Sequence, residues 1–315
     1  MAPSAQAHQR SHSMLLLQKL LNLRDSASPL TLIIDSLEQT ARPVLNEFIT
    51  RAKFARSKVI FISLATVKKP PSADILIKAR GKPLRDLSIE ITSHLLQPPP
   101  PAPPQKYLLL LDTLHPLLPL PHLPTFLQSI LPSPLISLVA VYHADVPVPA
   151  PTSQEYAPAP LTFLSSLATT TIRVSSLAHE VAARQAQRRS LPVPEHGLRE
   201  GREGGGSVVL DVEMRRRSGR AVGERFVMTM TTGEGGKAAA QFVMLGDHPL
   251  FVEDVARAGG AGGEGKGEEE GAETTFSLGL TEKQRRDREG VVLPYFDAQT
   301  DMGREDDFDD EEDEI

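Results

Sequence analysis

The chain has 315 residues, 40% of them hydrophobic and only 5% aromatic, with no Trp, so it can bury one large α/β core built mostly of Leu, Val, Ile and Ala. It has no Cys, which excludes a disulfide framework, a thiolate metal site and a Cys nucleophile. The net charge of −6 is uneven: residues 301–315 hold ten acids against Arg304, so that stretch alone is −9 and the remainder is slightly basic at +3.

The first thirteen residues are polar, and the apolar stretch Met14–Leu17 is too short for a signal-peptide core. Residues 1–13 are expected to be disordered. No run of about 18 apolar residues indicates a membrane span, so an intracellular protein is expected. Met14–Leu23 carries Leu at helical spacing. Leu30–Asp35 (LTLIID) reads as a buried parallel strand ending in an acid. Ser36–Arg56 reads as a helix, with Ser36 and Gln39 as a capping box and Pro43 in its first turns. Lys58–Ser63 is a second buried strand, and Lys69-Pro70-Pro71 breaks the chain. A helix over Asp86–Leu96 leads into a Pro-rich loop, 97–105, and a third strand, Tyr107–Asp112. A helix over Leu123–Leu131, a strand over Leu135–Tyr142 and a second Pro-rich loop, 146–160, follow. Leu161–Leu167 is a helix and Thr169–Val174 a fifth strand. This alternation means βαβ units around a mostly parallel sheet.

After residue 175 the pattern changes. Ala178–Arg189 is a polar helix and Gly201–Gly206 a spacer. Ser207–Met214, Glu224–Met230 and Ala240–Leu245 alternate apolar and polar residues, as half-exposed antiparallel strands do, and predict a meander at one side of the parallel sheet. Residues 256–275 are a Gly/Glu-rich linker expected to be disordered. The island 276–298 then has apolar residues at both ends, Phe276, Leu278 and Leu280, then Val291, Val292, Leu293, Tyr295 and Phe296. It is too short to fold alone and is expected to dock on a partner or on the parent domain.

Chemical motifs are few. A phosphate loop needs glycines, so that backbone N–H groups can curl around phosphate, and a Lys to reach it. Residues 35–43 contain neither. Gly233–Ala238 has the wrong spacing, with Thr231 where the first Gly belongs and Ala238 where a metal-binding hydroxyl belongs, and it sits between antiparallel runs. Leu108–Asp112 has the look of a magnesium-positioning strand, although a buried strand whose Asp caps the following segment has the same pattern. His115, His122 and His143 are scattered, without a second His or a carboxylate at metal-ligand spacing. Arg215, Arg216, Arg217, Arg220 and Arg225 surround a Ser218-Gly219 turn, either as a phosphate-contacting hairpin tip or as a solvated loop. A second basic group, Lys283, Arg285, Arg286 and Arg288, reads as a solvated helix face, and the acidic tail is either partner-binding or solubilising.

Three stretches together resemble the Elongator complex protein 5 family in a fungal form: LTLIIDSLEQTARPVLNEFI at 30–49, KVIFISLAT at 58–66 followed by YLLLLDTLHPLL at 107–118, and EKQRRDREGVVLPYFDAQ at 282–299 before an acidic end. Met302–Glu305 is at best a remnant of a segment usual in that family. The resemblance implies a RecA-like domain over 14–255 without ATPase motifs, the docking segment 276–298 and an acidic tail over 299–315. It also implies a scaffold subunit without catalytic residues, cofactor or metal. Family members form a hetero-hexameric ring with Elongator subunits four and six, in the cytoplasm and nucleus, and that ring binds tRNA and supports wobble-uridine modification. Arg215, Arg216, Arg217 and Arg220 are then the candidate tRNA contacts. Two other readings remain open: a degenerate P-loop NTPase with its own nucleotide site, and a generic RNA-binding module using the Arg-rich hairpin.

Overall fold

Short, wholly apolar runs can be satisfied only where both faces of a strand are covered, and the chain places them there. A computed structural model describes residues 5–24, 28–95, 104–120, 122–148, 158–189, 207–215, 218–232 and 238–251. The chain divides into units of residues 1–261 and 262–315, and all described residues belong to the first. Its strands are β1 (Leu30–Asp35), β2 (Lys58–Ser63), β3 (Ile75–Lys78), β4 (Tyr107–Leu111), β5 (Ile136–His143), β6 (Thr170–Ser176), β7 (Val208–Arg215), β8 (Ala221–Thr232) and β9 (Ala238–Met244). They form one sheet in the order β3-β2-β4-β5-β1-β6-β7-β8-β9. The first six run parallel, and β6 to β9 pair antiparallel, as the expected meander.

The helices are α1 (Ala5–Leu21), α2 (Arg42–Phe54), α3 (Leu84–His94), α4 (Leu123–Ser129), α5 (Pro160–Leu167) and α6 (Leu177–Arg188). On one face, Leu32, Ile60, Leu109 and Leu138 of the sheet pack under Leu87 and Ile91 of α3, Phe126 of α4 and Leu164 of α5. On the other, Ile33, Val59, Leu110 and Val139 meet Leu17, Leu20 and Leu21 of α1 and Val44, Phe48 and Ala52 of α2. Alternate residues of each parallel strand therefore enter opposite halves of the core.

Four expectations need correction. The helix α1 begins at Ala5, within the stretch expected to be disordered; Ser13 is buried and donates to Glu224 of β8, and Arg10 pairs with Asp247. Helix α2 begins only at Arg42, because Ser36–Ala41 is a separate turn, although Pro43 does lie in the first helical turn. The edge strand β3 went unread, being four residues with only Ile77 buried. Strands β7 and β8 are not half-exposed in their middles: Val209 and Val227 are buried with Leu177 of α6 and Phe251, opposite the face that carries Leu210 and Phe226. The Pro-rich stretches 97–103 and 149–157, the spacer 201–206, the linker 256–275, the segment 276–298 and the acidic tail lie outside the described residues.

The ring of Phe48 is fully buried between α2 and the sheet. Phe48→Ala should lower unfolding free energy by about 3–5 kcal/mol, read from a denaturant midpoint shift at unchanged slope.

Candidate functional site

Open α/β sheets bind ligands at the carboxyl ends of their parallel strands, above the central ones. Asp35 ends β1, between β5 and β6, and is 4% exposed. One carboxylate oxygen, Oδ2, accepts the Ala41 N–H at 2.8 Å, and the other lies 2.5 Å from His143 Nδ1 at the end of β5. Asp145 Oδ2 accepts the Leu37 N–H at 2.6 Å. Gln39 N–H donates to Ser36 Oγ at 3.3 Å, and Ser36 N–H donates to the Gln39 carbonyl at 3.2 Å. The Ser36–Gln39 pair thus exists, but it closes a turn instead of capping α2. Glu38 of the same turn lies 3.8 Å from His179 Nδ1 on α6.

In a phosphate loop the backbone donors after the first strand point at an anion from outside. Here the Leu37 and Ala41 donors already hold the protein's own carboxylates. Residues 36–41 supply no Lys or Arg, and a phosphate at this place would meet Asp35, Glu38 and Asp145. Like charges within a few ångströms, without a cation or metal between them, disfavour that occupant.

Asp112, directly after β4, is equally committed. Its Oδ1 accepts the Leu64 N–H at 2.8 Å, and its Oδ2 accepts Ala65 at 2.9 Å and Thr66 at 2.6 Å. It caps the loop after the neighbouring strand β2, not the segment following its own strand. Both oxygens that would hold a magnesium ion are bonded to backbone.

The topology brings together two histidines that are far apart in sequence. His115 lies 4.8 Å from the Tyr142 ring and 5.3 Å from that of His143, centroid to centroid. Both ring nitrogens of His115 are buried, close to the backbone of His143 and Val146. Burial, and then the neighbouring His143, pull its pKa down; the His143 pKa is raised, chiefly by the bond to Asp35. Among the described residues no group of three or more His, Asp or Glu could hold a metal. One sequence signal pointed here: Asp35, Asp112 and His143 each end or directly follow a buried apolar run.

The Arg-rich turn lies at the other end of the sheet. Because β7 runs antiparallel to β6, Arg215 ends up beside Thr169, at the amino end of the parallel strands. Arg215 Nη1 donates to the Ser166 carbonyl at 3.3 Å, and Arg220 is exposed. Arg225 does not belong to the tip: it sits along β8 opposite Asp211, in ion pairs with Asp211 and Glu180. Arg216 and Arg217 lie outside the described residues, as do Phe276, Leu278, Leu280, Val291, Val292, Leu293, Tyr295 and Phe296. The Gly-rich stretch 233–237, also outside them, joins Thr232 of β8 to its antiparallel partner Ala238 of β9, which is no setting for a phosphate loop. Elsewhere, a largely apolar groove of about 850 Å³ runs between α3 and α4, past Leu84, Ile89, Leu120 and Phe126. No sequence signal announced it.

Six parallel strands in this order, helices on both faces and an antiparallel extension define a RecA-like domain, here with its phosphate-loop position closed by carboxylates. The model of the Elongator subunit Iki1 family matches residues 16–307, and the chain belongs to that family. It is 31% identical to Elongator complex protein 5 of Schizosaccharomyces pombe, over 89% of this chain and 87% of the relative. It is 26% identical to Elongator complex protein 5 of Saccharomyces cerevisiae, over 96% and 97%. Solved structures similar to it include the flagellar accessory protein FlaH of Methanocaldococcus jannaschii, at 12% identity and TM-score 0.39, covering 68% of this chain and 89% of that one. A solved ATPase domain is similar at 8% identity and TM-score 0.39, covering 73% and 97%. No helix among the described residues is long and apolar enough to cross a membrane.

A raised histidine pKa gives a stability contribution that is complete below the unfolded value and lost as pH rises through the folded one. For His143 that loss begins above its ordinary value near 6.5. His115 acts in the opposite sense, because protonating it is disfavoured in the fold. His143→Gln should therefore cost most on the acid side and flatten the decline of stability across neutral pH, measured as urea midpoints between about pH 5 and 8.

Proposed function

We propose that this chain is a non-catalytic scaffold subunit of Elongator. It forms a hetero-hexameric RecA-like ring with the related subunits four and six, and that ring binds tRNA while the catalytic subunit builds the modified wobble uridine, in the cytoplasm and nucleus. The closed turn after β1 carries the non-catalytic part of this reading. Its Leu37 and Ala41 donors are occupied by Asp145 and Asp35, and both oxygens of Asp112 accept backbone N–H groups. Family membership supports the place in Elongator.

The competing enzyme reading makes a clear demand. The purified chain with ATP and magnesium should release no phosphate above the buffer blank. Hydrolysis that co-elutes with the chain through successive columns overturns the non-catalytic assignment.

The tRNA contacts on this chain are Arg215, Arg216, Arg217 and Arg220, acting through charge on consecutive phosphates. The segment 276–298 docks on a neighbouring subunit through its two apolar ends, Phe276, Leu278 and Leu280 and then Val291, Val292, Leu293, Tyr295 and Phe296. Pro294 lacks the N–H that a helix continuing through the second end would need. Burying each large apolar side chain contributes about 1.5–3 kcal/mol before ordering costs. Tyr295→Ala with Phe296→Ala should weaken assembly at least about tenfold in a titration with the partner subunits and leave the unfolding of the parent domain unchanged. Unaltered assembly affinity would remove the docking role.

A further inference from the structure

The amino end of the parallel strands carries a group of exposed cations. Lys58 opens β2, Lys106 precedes β4, and Arg56 and Arg24 follow the ends of α2 and α1. They are joined through the backbone: the Lys58 N–H donates to the Lys106 carbonyl at 2.9 Å, and Gln105 Nε2 donates to the Arg56 carbonyl at 3.0 Å. Arg215 and Arg220 lie at the same end, five strand spacings from β2, about 24 Å away. Arg24, Arg56, Lys58, Lys106 and Arg220 are exposed and form no ion pair among the described residues. Two acids at this end are already matched: Asp74 by Lys53, with Lys69 on its backbone carbonyl, and Glu213 by Arg215 at 3.9 Å.

Two further observations single out the α2 corner. Helix α2 ends with the Arg56 N–H on the Lys53 carbonyl at 3.0 Å, the Ser57 N–H on the Ala52 carbonyl at 2.8 Å, and Arg56 itself at φ 56°. That left-handed position after a helix is where glycine is favoured, and an arginine there costs about 1 kcal/mol of backbone strain. The helix dipole favours some cation at this terminus, but it does not explain Lys58 at the start of β2 or Lys106 just before β4. Two residues before Arg56, in the last turn of α2, Phe54 is 83% exposed, an aromatic ring in solvent. Long cations around an exposed aromatic are the elements of a single-stranded nucleic-acid site: phosphates go to the cations and a base stacks on the ring.

We propose that Phe54, Arg56, Lys58 and Lys106 form a binding site for an unpaired stretch of RNA, with the backbone held by the three cations and one base stacked on Phe54. The site rests on the tRNA-binding reading above and extends it from the β7–β8 turn across the sheet to β2 and β4. An acidic protein is the poorer occupant. Among the described residues, the large apolar side chains exposed toward this end are Phe54 and, nearer β6, Leu167, too few for the apolar centre of a protein interface.

The two halves of the site have different signatures. The probe is an unmodified tRNA anticodon stem-loop, titrated against the full chain assembled with its partner subunits at several salt concentrations. Phe54→Ala should weaken binding about tenfold with an unchanged salt slope, since stacking releases no counterions. The triple change Arg56→Gly, Lys58→Ser, Lys106→Ser should lower the slope by about two, at about 0.7 for each phosphate contact on a single strand. Arg56→Gly relieves the left-handed strain, so its loss of binding should come with equal or higher thermal stability. The control Lys78→Ser with Arg80→Ser, at the opposite end of the sheet, should leave the slope unchanged. If the assembly binds the stem-loop but Phe54→Ala and the triple variant bind it as well as the parent, the site is wrong and the tRNA-binding reading stands. If the parent assembly binds no tRNA, that reading fails first. If the triple variant no longer assembles, this end of the sheet is a protein interface and the RNA site is overturned.

Discussion

The buried carboxylate of Asp35 is the constraint on which the carboxyl end of this sheet depends. A charge that is 4% exposed persists only if hydrogen bonds replace the water it has lost, and Asp35 finds them in the Ala41 N–H and the His143 ring. The first bond fixes the turn 36–41 and so fixes where α2 can start. The second ties β1 to its neighbour β5 through the side chains of the last ladder pair, Asp35 with His143. Hydrogen bonds to a charged group are each worth about 1.5–3 kcal/mol net, more than the neutral bonds around them. One side chain thus sets where α2 starts, closes the loop after β1 and raises the pKa of a histidine.

Asp112 repeats the solution two strands away. It reaches sideways to three backbone donors after β2, so adjacent parallel strands are clamped at their carboxyl ends as well as along their ladders. Further across, the parallel sheet gives way to a meander without losing cover. Helix α6 lies over Val209 and Val227 while α1 reaches across to Glu224, so the antiparallel strands are buried on both faces where they leave β6.

Much of this was legible in the residues themselves. LTLIID, KVIFIS and YLLLL announce buried strands because only a doubly covered strand tolerates such runs, and the observed ends match them closely. What escaped was held by distant partners. The polar start of α1 shows no apolar stripe, and its anchors include Ser13 on Glu224 and Arg10 on Asp247, more than two hundred positions away in sequence. The edge strand β3 is too short to show a period. The missing phosphate loop was readable as an absence of Gly and Lys, but its replacement by Asp35 and Asp145 was not, because Asp145 approaches from the loop after β5. Phe54 was invisible for the opposite reason: an apolar residue in a helix is read as core, and only the direction of the last turn of α2 turns it outward.

Helix N-termini and strand ends make the carboxyl side favourable to anions, and here carboxylates from within the chain already use that potential. Helix C-termini make the amino side negative, and Arg24, Arg56, Lys58 and Lys106 lie exposed there. The closure is also held from both flanks. Asp145 comes from the β5 side and His179, opposite Glu38, from the α6 side next to β6. Placing Gly and Lys into 36–41 would leave Asp35 and Asp145 where a phosphate must go. A nucleotide could enter only by parting the turn from both neighbours at once, and each separation would expose a carboxylate that the fold has buried or bonded.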